Sequence, residues 1–436
     1  MVSIKEKHMK YLQFLYIVII LLLSACTYSR YDVNDDVIIF DYRKQYPVLE
    51  LKLSDLADIS YVPLKGEDSI NFLTNVYDLS ENIYIDNDWI IIGDCLPNKD
   101  IEPKNDNIIY LFDKDGYFAR SFKKGSKNSN DWESSKRMLY DNTNKEVIIH
   151  QKSYFGNILE HYDIYGNHIS TDTLKNPYFN SVFDGRKITF QNIYTKYAVN
   201  GKTHGTGGAS INVYDIDSRN YVDIEQLPHE HIVLDYSGNK HAPYALYASK
   251  NGIYITDSRT ETVYFLDKKY EISPKFRSIQ SSKHKNRPDI QNLVYPLVET
   301  DEYILFCNDM DFDSQTTHRF KYGNYIYIKG EKKIYQLSDL GYIDYDFNKH
   351  KDIIVYEDHL LKDEIFLTNQ FKTLNADILI CVIEPFYLID NYNTLPPELK
   401  DIASNITPYD NPILMVMRFG KELRTATQQV EPAVNR

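Results

Sequence analysis

Ile108-Ile109-Tyr110-Leu111-Phe112-Asp113-Lys114-Asp115-Gly116-Tyr117-Phe118 is a β-rich run that ends in an aspartate, passes through a glycine-bearing turn and starts a second apolar run. Glycine at the turn supplies the positive φ that a tight connection between antiparallel strands demands. The same pattern returns along the chain as His161-Tyr162-Asp163, Val213-Tyr214-Asp215 and Val263-Tyr264-Phe265-Leu266-Asp267, so its aspartates stand 50, 52 and 52 residues apart. Lys333-Ile334-Tyr335-Gln336-Leu337-Ser338 follows after a longer gap of 71 residues. Asp163-Ile164-Tyr165-Gly166-Asn167 repeats the hairpin turn.

Upstream of several of these runs lies another strand-like stretch: Asn82-Ile83-Tyr84-Ile85-Asp86, Asn251-Gly252-Ile253-Tyr254-Ile255-Thr256-Asp257 and Gly323-Asn324-Tyr325-Ile326-Tyr327. Two such strands about 25 residues apart, repeated near every 50 residues, suggest four-stranded blades stacked around a channel, which protects sheet edges. A pair of large β-sandwiches would not repeat so regularly. Residues 39–420 at about 50–65 residues per blade make about six or seven blades. Helical periodicity is nearly absent, except in Leu395-Pro396-Pro397-Glu398-Leu399-Lys400-Asp401-Ile402-Ala403, where an early proline predicts a short helix.

The N-terminus carries a separate signal. Lys5, Lys7 and Lys10 precede the apolar run from Tyr11 to Leu23, which is shorter than the roughly 20 residues of a spanning helix and has the length of a signal-peptide core. Met9 could serve as the start as well as Met1. Leu23-Ser24-Ala25-Cys26 resembles a bacterial lipobox, in which Cys26 is acylated and residues 1–25 are removed. Residues 26–38 would then be a lipidated tether and 421–436 a polar tail. Two or three acyl chains anchor stably where one does not. Asp32, Asp35 and Asp36 are an acidic group shortly after the cysteine, of the kind that accompanies surface export.

Together with the lipobox, three further stretches resemble the six-bladed β-propeller lipoproteins common in Bacteroidota. They are Leu53-Ser54-Asp55-Leu56-Ala57-Asp58-Ile59-Ser60-Tyr61-Val62-Pro63-Leu64, Tyr110 to Phe118, and Asp410-Asn411-Pro412-Ile413-Leu414-Met415-Val416. The resemblance implies an all-β fold of six four-stranded antiparallel blades on the outer membrane, and it brings no catalytic assignment. One departure stands out: where members carry a glycine-proline-glutamate turn, Lys124 to Trp132 keeps only Gly125. By analogy with ring closure in propellers, Ile59 to Leu64 should pair with strands near Ile378–Ile383 and Ile413–Phe419.

Composition narrows the partners. The chain has 436 residues and a formal net charge of -13, and losing residues 1–25 removes three lysines and Glu6 to leave -15. A polyanion needs a basic face, so nucleic acid is excluded. Hydrophobic content of 43% supports a packed core. With Cys26 used by the anchor, Cys95, Cys307 and Cys381 form no disulfide framework, and the last two read as strand thiols. The 38 tyrosines could stack on sugars, although Tyr also has high β-propensity, and Ile, Asn and Lys are plentiful beside it.

Candidate sites are sparse. Asp309, Asp311 and Asp313 alternate along an extended segment and supply the oxygen ligands that calcium prefers, without the glycine and glutamate of an EF-hand loop. His229, His231 and His241 could converge on a transition metal, but Pro228 marks a loop and a third ligand is unconvincing. The run from Gly201 to Gly208 has the wrong order for a phosphate loop, no nucleophile elbow is present, and Lys283, His284, Lys285 and Arg287 read as a solvated cluster. The reading is a lipid-anchored, non-enzymatic binding platform for a glycan, peptide or partner protein, needing no cofactor. The alternative is a hydrolase or lyase in the channel, with a metal.

Overall fold

The computed structural model describes residues 37–41, 44–51, 53–66, 83–94, 108–123, 136–153, 156–174, 180–184, 187–194, 197–199, 202–204, 208–223, 244–257, 262–279, 294–312, 320–337 and 377–423. Among them β-structure dominates, built from strand-favouring Ile, Val, Tyr and Phe buried in consecutive runs such as Ile109-Tyr110-Leu111-Phe112, as strands covered on both faces require. The first sheet comprises Ile83–Ile85, Trp89–Asp94, Ile108–Asp113 and Phe118–Lys123. The second comprises Lys136–Asp141, Glu146–Ser153, Gly156–Asp163 and His168–Leu174, and the third Asn180–Asp184, Lys187–Tyr194, Gly208–Asp215 and Asn220–Asp223. Tyr244–Ser249, Gly252–Asp257, Thr262–Asp267 and Ile272–Ile279 form the fourth. The fifth has Val294–Glu299, Tyr303–Phe312, Phe320–Ile328 and Lys333–Leu337. Within each, every strand pairs antiparallel with the next.

The chain is thus an all-β propeller of four-stranded antiparallel blades with few helices. The expectation of six four-stranded blades needs correction: five sheets have four or five strands, and one further sheet has three among the described residues. That closing sheet joins the chain ends. Ala57–Pro63 pairs antiparallel with Ile413–Phe419, which pairs in turn with Ile378–Ile383. This is the closure expected from the propeller analogy, and it turns two free edges into a continuous ladder.

What precedes Ala57 was not legible as structure. Ile38–Asp41 lies parallel to Ile272–Ile279, the outer strand of the fourth sheet, and Val48–Leu49 lies parallel to Lys333–Leu337, the outer strand of the fifth. The chain therefore wears a belt that crosses the outside of two sheets before entering the closing sheet at Ala57. Phe40 is its wedge: it is 1% exposed, stacks on Tyr46 at 5.3 Å and meets Tyr325 and Phe306 edge-on. The Tyr46 hydroxyl accepts a 2.7 Å hydrogen bond from the Asp41 amide, which fixes the bend between the two belt strands. Ile38, read as the last tether residue, is already in the first strand. Of the expected polar tail, Lys421 pairs with Asp58 and the Leu423 amide donates to Glu302, so the first residues after the closing strand are docked.

Apolar clusters fill the wedges between neighbouring sheets. Ile91, Ile109 and Leu111 of the first sheet pack with Met138, Val147 and Ile149 of the second, and Leu305 and Ile326 of the fifth pack with Met417 and Phe419 of the closing sheet. Pro397–Ser404 is the helix expected near the C-terminus, with proline in its first turn. It is preceded by a helix over Pro385–Asp390 and a single 3-10 turn over Tyr392–Thr394. All three lie between two strands of the closing sheet.

Candidate functional site

The repeated aspartates have a local task. Asp113 Oδ1 accepts from the amides of Asp115 and Tyr117, Asp163 Oδ1 from those of Tyr165 and Asn167, and Asp267 Oδ1 from those of Lys269 and Glu271. Asp215 Oδ1 takes the Ser218 amide. Each carboxylate thereby organises the turn between the third and fourth strands of its sheet. Asp86 and Asp141 do the same between first and second strands.

Antiparallel order then sorts the two ends of every sheet. First-to-second and third-to-fourth connections are tight turns at one end. The second-to-third connections and the crossings to the next sheet leave from the other end, the loop rim. The strands that flank residues 95–107, 124–135, 224–243, 280–293 and 313–319 all end there. First strands of the third, fourth and fifth sheets contact one another, so they line the inside of the ring. Long connections on a rigid scaffold are where binding residues concentrate.

His229, His231 and His241 lie outside the described residues, in the crossing from third to fourth sheet; Lys283 to Arg287 likewise lie in the crossing from fourth to fifth. Asp309 and Asp311 occupy the rim half of Tyr303–Phe312, and Asp313 lies outside the described residues. The register slips between Asp309 and Asp311, which pair with the adjacent residues Tyr322 and Lys321, so strict alternation does not hold at this point. Lys202–His204, within the glycine-rich run, pairs with Tyr197–Val199 as a small separate hairpin. Leu23, Ser24, Ala25 and Cys26 are outside the described residues. Among the described residues no three His, Cys, Asp or Glu side chains are grouped to hold a metal ion, and no helix is long and apolar enough to cross a membrane.

Polar chemistry that the sequence did not announce joins neighbouring sheets. Three times a carboxylate takes a tyrosine hydroxyl and a basic side chain. Asp86 accepts from Tyr140 at 2.7 Å and Lys145 at 2.6 Å, from the second sheet. Asp172 accepts from Tyr214 at 3.2 Å and pairs with Arg219 at 3.4 Å, from the third. Glu299 of the fifth sheet accepts from Ser249 at 2.6 Å and Tyr254 at 2.9 Å, both of the fourth, and pairs with Lys329 at 2.8 Å. Burial pushes the Glu299 carboxyl up, but Lys329, Ser249 and Tyr254 together outweigh it and hold the group below the ordinary range. Asp86 is held low by the same balance, with Lys145 as its strongest partner. These groups are spent on holding sheets together.

At the loop rim of the closing sheet the helical insertion shows a different pattern. Its aliphatic residues Leu388, Leu395 and Leu399 are buried with Tyr61, Ile383 and Ile413 of the closing sheet. Its exposed large apolar residues are aromatic: Phe386 at 39%, Tyr392 at 41% and Tyr409 at 81%. Glu384 precedes the first helix without making a side-chain cap, and burial alone raises its carboxyl above the usual range. Sequence reading missed the rest of this insertion because only the helix near Pro397 had a signal.

Comparison with known proteins places the fold. No family model matches the chain, and no curated protein matches it. Among solved structures, a Bacteroides fragilis protein assigned to export covers 88% of this chain and all of its own length, at 15% identity and a TM-score of 0.53. The β-propeller domain of the trilobed protease of Pyrococcus furiosus aligns over 64% of this chain and 71% of its own at 10% identity and a TM-score of 0.34. A Bacteroides caccae protein of unknown function aligns over 59% and 81% at 9% identity and 0.32. The first of these likenesses agrees with the propeller read from the sheets.

Proposed function

We propose that the chain is a lipid-anchored propeller of the cell envelope whose loop rim binds a glycan, a peptide or a partner protein without chemical turnover. One observation carries this reading. The tight turns at one end are occupied by backbone capping, while the strands that flank the longest connections end at the other, where the helical insertion exposes Phe386, Tyr392 and Tyr409. Export of the Bacteroides fragilis protein, whose fold this chain shares, supports an envelope location, and the lipobox at Cys26 supplies the anchor, on the outer membrane. The three-stranded closing sheet is the sixth blade of the ring in this reading, consistent with its position between the fifth and first sheets.

Hydrogen exchange of the mature chain, titrated with envelope glycans and peptides, tests the site. Protection is expected at strand ends facing the rim, near residues 94, 123, 279 and 383. Protection confined to the turn end with any ligand that binds would overturn it. Replacing Cys26 by alanine should abolish labelling with a radioactive fatty acid and release the protein from membranes.

A further inference from the structure

The face that the second sheet turns to the third carries a buried histidine among its apolar residues. Leu139, Ile148 and Leu159 pack there with Tyr214 and Ile216 of the third sheet. Cross-strand register sets His161 opposite Ile148, so its ring enters the same face, where it is 2% exposed. Both ring nitrogens look at carboxylates. Nδ1 lies 3.4 Å from Glu146 Oε2 on the second strand, and Nε2 lies 3.6 Å from Asp172 Oδ2 on the fourth. Nε2 is buried and makes no hydrogen bond. A neutral imidazole has one N–H, so it answers one of these carboxylates and turns a lone pair to the other. The imidazolium donates to both. It also balances the charge: Glu146 and Asp172 are two anions, and His161 with the exposed Arg219, 3.4 Å from Asp172, would be two cations.

We propose that His161 is a proton-operated clasp: a proton taken from solvent onto Nε2 closes a hydrogen bond to Asp172 and tightens the junction of the second and third sheets, and its loss opens that bond. Asp172 carries the effect across, because Tyr214 and Arg219 of the third sheet hold the same carboxylate. Tyr221 packs beside Tyr214 from that sheet. The other ionisable groups on this face of the second sheet are Asp141, Asp163 and His150. Asp141 and Asp163 are committed to turn amides, and His150 is buried with partners of its own. The clasp favours the folded chain while the ring holds both protons, and its contribution falls away as rising pH removes the second.

Thermal melting of the mature chain at steps between about pH 5 and 8, the range in which histidine ordinarily changes charge, tests this. His161→Gln and Asp172→Asn should each flatten the profile, so that the wild type loses about 1–2 °C more than either across the range. His150→Gln should keep the wild-type slope. Parallel profiles of the wild type and the His161 and Asp172 variants would overturn the clasp, as would a slope lost in His150→Gln alone. Ring-nitrogen NMR shifts of the histidine-labelled wild type decide the matter even where a variant does not fold. His161 should pass from the imidazolium to the neutral pattern within the range, and a ring fixed in either form throughout refutes the proposal.

Discussion

Glu299 has both carboxylate oxygens engaged, one by Ser249 and Tyr254 and the other by Lys329. Because its folded pKa lies below the ordinary value, it contributes stability above the unfolded pKa of about 4.3. That contribution is lost as pH falls through the folded value. Asp86 adds to the same window with an unfolded value of about 3.9. Thermal unfolding of the wild type should therefore lose ground below about pH 4. Glu299→Gln should lower the melting temperature at neutral pH, since Lys329 is left without its countercharge, at a cost of about 2–4 kcal/mol. It should also show a flatter decline in acid. An equally steep acid decline in the variant would remove Glu299 from the account. None of this could be read from sequence, because Ser249 and Glu299 are 50 residues apart and nothing local distinguishes Glu299 from a surface glutamate.

The turn is the element that sequence described best. Asp113, Asp163 and Asp267 were visible as a repeat because their hydrogen bonds reach only two to four residues ahead. Gly116 was legible as a residue of positive φ, and its φ is 84°. Packing adds a second demand. A Cβ at Gly116 would stand 2.3 Å from the Pro63 carbonyl oxygen of the closing sheet, and one at Gly166 would stand 2.6 Å from Phe122 of the first sheet. Each of these turns thus abuts the outer strand of the preceding sheet. Gly116→Ala should cost about 2 kcal/mol or more, from backbone strain and from this collision, and denaturant unfolding would measure it. A near-neutral result would mean that turn and strand separate freely. By contrast Lys145 and Arg219 hold positive φ as non-glycine turn residues and turn their charges to Asp86 and Asp172 of the preceding sheets. Only long-range contact gives those turns their purpose.

For the whole molecule the belt matters most. It buries Phe40 between the fourth and fifth sheets and covers two outer edges that would otherwise offer unpaired backbone. A chain beginning at residue 52 should melt well below one beginning at residue 27, the loss of Phe40 alone costing about 3–5 kcal/mol. It should also self-associate through the uncovered strands Ile272–Ile279 and Lys333–Leu337. Calorimetry with light scattering would show both, and an unchanged melting temperature in a monomer would deny the belt any part in closure. The belt also sets where a tether from Cys26 would arrive, at the outer edge of the fourth sheet. Sequence by itself determined many of the blade strands, the aspartate turns and the propeller class, because these follow from short β-favouring apolar runs at a regular spacing and from hydrogen bonds within a few residues. Tertiary structure alone decided which edges the belt covers, which carboxylate meets which tyrosine and cation, and at which end of the sheets the helical insertion sits, because each depends on residues brought together from tens to hundreds of positions apart.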